Sequence, residues 1–293
     1  WPAAWEAPFA TLGRAISLFS DYTYWHFRVM YLGEFMLGSH APWHYLPVWI
    51  GITIPLPYIL FFLIGLVACG DYLIQNGKTI LDEQTTRMHL IFLGITLIPP
   101  LLAIFLNSTL YNGWRHFQFI YPTFLMIALI GLQWVLSGIK LSALKSPKTI
   151  ALLLLVGLSA INLLLTGFWM VRHHPHQSVY FNRIGYLLGR ENFERDYWRI
   201  SVKPGLEALP ARVPVEDLNL CMESQFEKPE FLMILPEETR AGIHIITESA
   251  YFEACDYAVN TYRSPNPYAC EDKFFEITVD GLPILTITKC RQE

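Results

Sequence analysis

Charge is what this sequence has least of. Asp, Glu, Lys and Arg make up 16% of its 293 residues, where a soluble domain carries about a quarter. The shortage is local. No charged residue stands between Tyr45 and Gly70, Met88 and Trp114, His116 and Ile139, or Thr149 and Val171. Each window exceeds the roughly 20 residues that take a helix across about 30 Å of hydrocarbon. They predict four membrane spans, at about 45–69, 88–107, 117–139 and 149–171.

Other absences narrow the chemistry. A net charge of −4 gives no basis for nucleic-acid binding, which shows as a basic face. The sequence holds no Walker loop, no G-x-G-x-x-G, no H-E-x-x-H and no G-x-S-x-G, so no motif points to nucleotide binding, zinc proteolysis or serine hydrolysis. No C-x-x-C pair signals a zinc or thioredoxin-like site. The first residues, "WPAAWEAPFATLGRA", carry neither an initiating Met nor a signal peptide. The chain is therefore expected to be the C-terminal part of a longer protein, with four spans as a lower bound.

What is present divides in three. Residues 1–44 read as an external interfacial loop: Phe9, Leu12, Ile16 and Phe19 fall at helical spacing within 6–20. Such a helix would lie in the outer interface or pack on the spans. Residues 21–44 are rich in Trp, Tyr and His, which suits the headgroup level. The spans fill 45–171, and Pro47, Pro55, Pro57, Pro99 and Pro100 within them predict kinked helices, which suggest a cavity. Residues 172–293 hold most of the acidic groups and four of the five cysteines, a soluble tail large enough for one small core. There a helix is expected at 202–209 and another near 226–233. Strands are expected in "DLNLCME", "GIHIITE", "DYAVNTY", "KFFEITVD" and "PILTITK", the last two forming a hairpin. The fold class is thus α-helical integral membrane, part of a larger bundle, followed by a small extracytoplasmic α/β domain.

Two signals orient it. Loops 71–87 and 140–148 carry Lys78, Arg87, Lys140, Lys145 and Lys148, whereas 107–116 has Arg115 alone; positive charge marks the cytoplasmic side. Cys221, Cys255, Cys270 and Cys290 cluster in the tail, which suits disulfides outside the cytosol. The spacing leaves three pairings open, and free buried thiols remain the alternative.

The residues that draw attention interrupt the apolar pattern. Arg115 and His116, in "LYNGWRHFQFIYPTF", stand at the outer end of the third span beside Trp114, Tyr111 and Asn112. A guanidinium at a span end either snorkels to water or grips a phosphate with two parallel hydrogen bonds. Glu34 is the only acid between Asp21 and Asp71 and reads equally as a functional group (a base, a metal ligand or a binder of sugar hydroxyls) or as a solvated loop residue. "HHPH" at 173–176 is read as an exposed interfacial segment in preference to a metal site. "NST" at 107–109 matches a glycosylation sequon but lies too near the bilayer to be credited.

In combination, "PWHYLPVWIGITIPLP", "YNGWRHFQFIYP", "HPHQSVYFNRIGY" and "ERDYWRIS" resemble the C-terminal half of bacterial membrane glycosyltransferases of the GT-C class. The nearest group is the family-39-like one related to dolichyl-phosphate-mannose–protein mannosyltransferases and to the aminoarabinose transferase of lipid A. The resemblance covers roughly residues 1–200 and touches the tail through "DYAVNTYR". It implies a bacterial plasma-membrane enzyme with a periplasmic tail. Such an enzyme moves a sugar from a polyprenyl-phosphate donor to a protein, lipid or glycan acceptor, among membrane lipids. It implies that Arg115 and His116 hold the carrier phosphate, and that an aspartate of a first external loop, absent here, serves the acceptor. Glu34, Trp43, His44, Tyr45 and Tyr111 would line the substrate groove. No cofactor is assigned, and use of a divalent metal stays open. The competing readings are a lipid-linked sugar transporter or flippase, and a non-enzymatic anchor presenting the tail.

Overall fold

In the computed structural model, residues 2–20, 28–76, 83–222, 229–246, 254–263, 270 and 272–290 are described. The chain forms two compact units, Trp1–Phe27 with Leu37–Leu164, and Arg28–Met36 with Leu165–Glu293.

The first unit opens with two short helices, α1 (Pro2–Glu6) and α2 (Pro8–Ser20). Pro8 suits a helix start because its missing N–H has no intrahelical partner there. Residues 45–69, continuous in the sequence reading, are divided. They give α3 (Tyr45–Thr53) and α4 (Leu56–Asn76). Ile54 is extended, with φ −87° and ψ 138°, because the ring of Pro55 disfavours helical geometry in the residue before it. The nine residues of α3 are too short to cross a bilayer. Helix α5 (Gln84–Phe105) runs through Pro99 and Pro100 without such a break. A 3-10 stretch, Arg115–Ile120, leads into α6 (Tyr121–Ser137), and α7 (Pro147–Arg172) follows. Among the described residues, α4, α5, the run Arg115–Ser137 and α7 are long and apolar enough to cross a membrane.

Helices α4 and α6 touch backbone to backbone. A Cβ on Gly65 would stand 2.0 Å from the Ile127 carbonyl oxygen, and one on Gly131 2.0 Å from that of Phe61. Small residues allow this approach where no hydrophobic drive exists between helices in lipid. Around the crossing, Phe62 stacks on Phe124 at 4.0 Å, and Leu152, Leu155 and Val156 of α7 pack against the Phe61, Ala128 and Val135 cluster. Thr96 of α5 donates to Thr123 of α6 at 2.8 Å, and Thr123 donates in turn to the Ile120 carbonyl at 2.9 Å.

The second unit is built on a five-stranded sheet. Its strands are β3 (Leu218–Met222), β4 (Ile243–Ile246), β5 (Tyr257–Asn260), β6 (Asp272–Val279) and β7 (Leu282–Lys289), in the order β4-β3-β5-β7-β6. The β4, β3 and β5 strands run parallel, while β7 pairs antiparallel with β5 and β6. Leu206, Leu209, Leu220, Leu285 and Ile287 centre its core. Cys221 is bonded to Cys255 and Cys270 to Cys290, which selects one of the three possible pairings; Cys69 is free and buried. The helix expected at 202–209 is observed as Val202–Glu207. Of the one expected near 226–233, residues 226–228 lie outside the described residues, and Pro229–Ile234 is 3-10.

Part of the aromatic loop belongs to this unit too. Arg28–Tyr31 (β1) and Glu34–Leu37 (β2) form a hairpin whose Leu32 and Gly33 have φ of 51° and 86°, the two left-handed residues of a tight turn. It is tied on by Gly33 N–H to the Asn192 carbonyl at 2.9 Å and Glu194 N–H to that of Met30 at 3.2 Å. Residues 21–27 of that loop lie outside the described residues.

Beneath the hairpin lies "ERDYWRIS", a buried polar network. Arg263 pairs with Glu194 at 3.2 Å with both side chains buried. Asp196 accepts from the Ser201 amide and hydroxyl. Arg195 donates to the Pro283 carbonyl at 2.7 Å and covers the Tyr262 ring. The turn between β6 and β7 is held at its tip, where Asp280 accepts from Tyr186 and, at 3.4 Å, from Trp169 of α7.

Two predictions follow from these contacts. Gly131→Ala should cost the solubilised protein about 1–3 kcal/mol in a thermal melt, by forcing α4 and α6 apart. The second concerns alkaline pH. Burial and the hydrogen bond to Asp280 push Tyr186 from 10.0 up to about 12. Its stabilising effect is complete below pH 10.0 and disappears as the pH rises through about 12. Unfolding temperature should fall across that window, and less so in Tyr186→Phe; Tyr31, also raised to about 12 by burial, and Tyr180 and Tyr257, also raised by burial, contribute to the remainder.

Candidate functional site

The segment between α5 and α6 is short, tightly turned and bolted to α3. Asn107, Asn112 and Gly113 have φ of 50°, 56° and 67°, left-handed values that Asn and Gly tolerate best. Leu110 N–H donates to the Gly38 carbonyl at 2.9 Å. The approach is close enough that a Cβ on Gly38 would lie 2.5 Å from the Leu110 oxygen.

Helix α3 supplies the other half of the clamp. Tyr45, Trp49 and Thr53 recur every four residues and so share one face. The Tyr45 hydroxyl accepts from the Gly113 amide at 3.1 Å, and the Trp49 ring lies against Gly113, 3.4 Å from where a Cβ would be. Thr53 accepts from the Trp114 indole N–H at 2.9 Å and donates to the Trp49 carbonyl at 2.6 Å. Three successive turns of one short helix thus hold the two residues that precede Arg115.

Arg115 emerges from this clamp half-exposed, with His116 exposed beside it. An Arg115 Nη2–H donates to His116 Nε2 at 3.2 Å. Because arginine has only donors, that ring nitrogen is the acceptor, and the imidazole is neutral with its proton on Nδ1. Tyr111 completes the group: its ring meets His116 edge-on at 4.5 Å and lies 5.7 Å from the Arg115 guanidinium carbon. Guanidinium N–H groups, an imidazole N–H and a phenol therefore cluster at the start of an apolar helix. Such a donor-rich set suits an anion with several acceptor oxygens.

The remaining expected site residues are placed as follows. Trp43 is 71% exposed and meets His44 edge-on at 5.5 Å. His44 is the N-cap residue of α3. Tyr45 is fully buried, so it acts from beneath, as the strut of the Gly113 turn. Glu34 is exposed on β2 in the other unit. Trp49, Thr53, Gly38 and Gly113 were not singled out from sequence; the four-residue spacing of 45, 49 and 53 was the signal available for three of the struts. In the "HHPH" segment, His173 donates to the Trp169 carbonyl and Gln177 to His174. Among the described residues no three His, Cys, Asp or Glu gather as metal ligands.

Comparison with known proteins adds no relative: no family model, no curated protein and no solved structure matches the chain.

The clamp makes a direct prediction. Tyr45→Phe removes one hydrogen bond, worth about 0.5–1.5 kcal/mol, and should speed amide exchange at Gly113 and Trp114 while α4–α7 exchange as before. Unchanged protection at Gly113 would show that the hydroxyl does not hold the turn.

Proposed function

We propose that this chain is the carrier-binding part of a membrane glycosyltransferase, in which Arg115 and His116 hold the phosphate of a polyprenyl-phosphate-linked sugar. The observation that carries the reading is the Arg115–His116–Tyr111 group, fixed on the α3 clamp at the end of a helix long and apolar enough to cross a membrane. Two of the four phrases that resemble the GT-C class, "PWHYLPVWIGITIPLP" and "YNGWRHFQFIYP", contain the two halves of that clamp. The disulfide-bonded tail agrees with an extracytoplasmic position, on the outer side of a bacterial plasma membrane.

In the transfer, the bond between the sugar's anomeric carbon and the carrier phosphate oxygen breaks. A bond from that carbon to the acceptor oxygen forms, and the acceptor proton leaves to a base. Negative charge grows on the departing phosphate. Arg115 opposes it with its guanidinium charge, and preorganised electrostatic stabilisation of this kind is the largest contributor to many such reactions. The neutral His116 adds a donor through Nδ1. No base is assigned within residues 1–293, and the protein, lipid or glycan acceptor and the sugar are left unspecified.

The test is transfer from a polyprenyl-phosphate sugar by the intact protein in native membranes. Arg115→Gln should lower kcat by about 100-fold or more without changing the thermal melt, and Arg115→Lys should recover part of it, keeping charge but not the fork. Full activity in Arg115→Gln would refute the assignment. Carrier translocation without sugar transfer in the unaltered protein would identify a flippase instead.

A further inference from the structure

Among the described side chains of the N-terminal helices, the large apolar ones, Trp5, Phe9 and Leu12, are exposed. On α2 the covered positions are Thr11, buried, and Ala15, half-buried; with the half-buried Ala7 just before the helix they make a narrow line of small residues at i, i+4 and i+8. The bulky residues lie elsewhere on the surface. Phe9 and Trp5 are each 88% exposed and Leu12 is 59% exposed. A third face carries Ala10, Arg14 and Ser17, all exposed, with Arg14 folded back towards the Ala10 carbonyl at 3.4 Å. Helical geometry separates these faces by construction, since residues at i, i+3 and i+4 share a side.

This arrangement bears on a question the sequence leaves open, whether the apolar stripe packs on the spans. Its described side chains, Phe9 and Leu12, do not, and the small-residue line is the covered one; the side chains of Ile16 and Phe19 lie outside the described set. From α1 and α2 we infer that Trp5, Phe9 and Leu12 insert into the headgroup–acyl boundary of the bilayer that α4–α7 cross, making α2 an interfacial helix.

Several features single out lipid as the occupant. The segment belongs to the same compact unit as α4, α5 and α6, whose own uncovered surface is apolar: Leu63, Val67, Ile98, Leu101, Met126 and Leu129 are all exposed. Trp is the side chain that favours the headgroup level. The opposite face is small and weakly polar, and Glu6 and Arg14 are the only charges in residues 1–20. Their sum is zero, so attachment rests on apolar insertion rather than on attraction to anionic lipid. The inference rests on the reading of α4–α7 as membrane-crossing and is independent of the role given to Arg115.

The experiment uses the full chain in vesicles of zwitterionic phospholipid. Cys69 is replaced by Ala and the tail disulfides are left oxidised. Single cysteines at Phe9, Leu12, Arg14 and Leu158 carry a spin label, and its collisions with oxygen and with a water-soluble nickel chelate are compared. At Phe9→Cys and Leu12→Cys, oxygen should dominate, at about 5–10 Å depth. At Arg14→Cys the chelate should dominate, and raising the salt should change none of these. Leu158→Cys on α7 should report deep hydrocarbon. The inference is overturned if positions 9 and 12 behave like 14, or if they are immobilised and shielded from both reagents, as under a protein partner or second copy. A chelate-accessible label at 158 would instead remove the membrane reading itself.

Discussion

The contact that organises the first unit is the crossing of α4 and α6, where Gly65 and Gly131 leave no room for a side chain. In lipid, helices gain nothing by hiding apolar surface from water, so close van der Waals packing has to hold them. That packing sets the axial register of the two helices. Helix α3 stands just before α4 and the Arg115 turn just before α6. A crossing fixed in register therefore brings the two preceding segments together, and the bonds from Tyr45 to Gly113 and from Thr53 to Trp114 lock them. Rigid positioning of Arg115 is thus inherited from two glycines in the middle of the bundle.

The arginines of the two units are used in opposite ways. Arg195 and Arg263 are buried and spend their donors on backbone carbonyls, on Glu194 and over tyrosine rings, which binds the "ERDYWRIS" segment into its unit. Buried charge of this kind is tolerated because it is paired and hydrogen-bonded. Arg115 is half-exposed and neighbours a neutral imidazole and a phenol. The first pattern fixes a fold; the second leaves a half-exposed guanidinium beside an imidazole and a phenol.

Sequence reading followed whatever depends on local pattern. Charge-free windows located the apolar helices, and alternation located β3 to β7 close to their observed bounds. Features set by tertiary neighbours were not visible. The β1–β2 hairpin escaped because its turn places Leu32, a poor left-handed residue, at φ 51°. Pro55 was read as a kink, yet it separates α3 as an independent helix. The cysteine pairing depends on β3 lying beside β5 and on β7 pairing with β6, which sets Cys221 near Cys255 and Cys270 near Cys290. In the candidate site, Arg115 and His116 stood out as charge in an apolar setting, whereas the burial of Tyr45 and its bond to the Gly113 amide were not visible in the sequence.

The central claim is that this strut-mounted group recognises a phosphate on a lipid carrier. The most direct measurement is native mass spectrometry of the full-length protein with a polyprenyl phosphate and the matching uncharged polyprenol in equal amounts. The account predicts retention of the phosphate over the alcohol, with the preference lost in Arg115→Gln and the weaker binding of the alcohol unchanged. Equal retention of the two lipids, or a phosphate preference that survives Arg115→Gln, would contradict it.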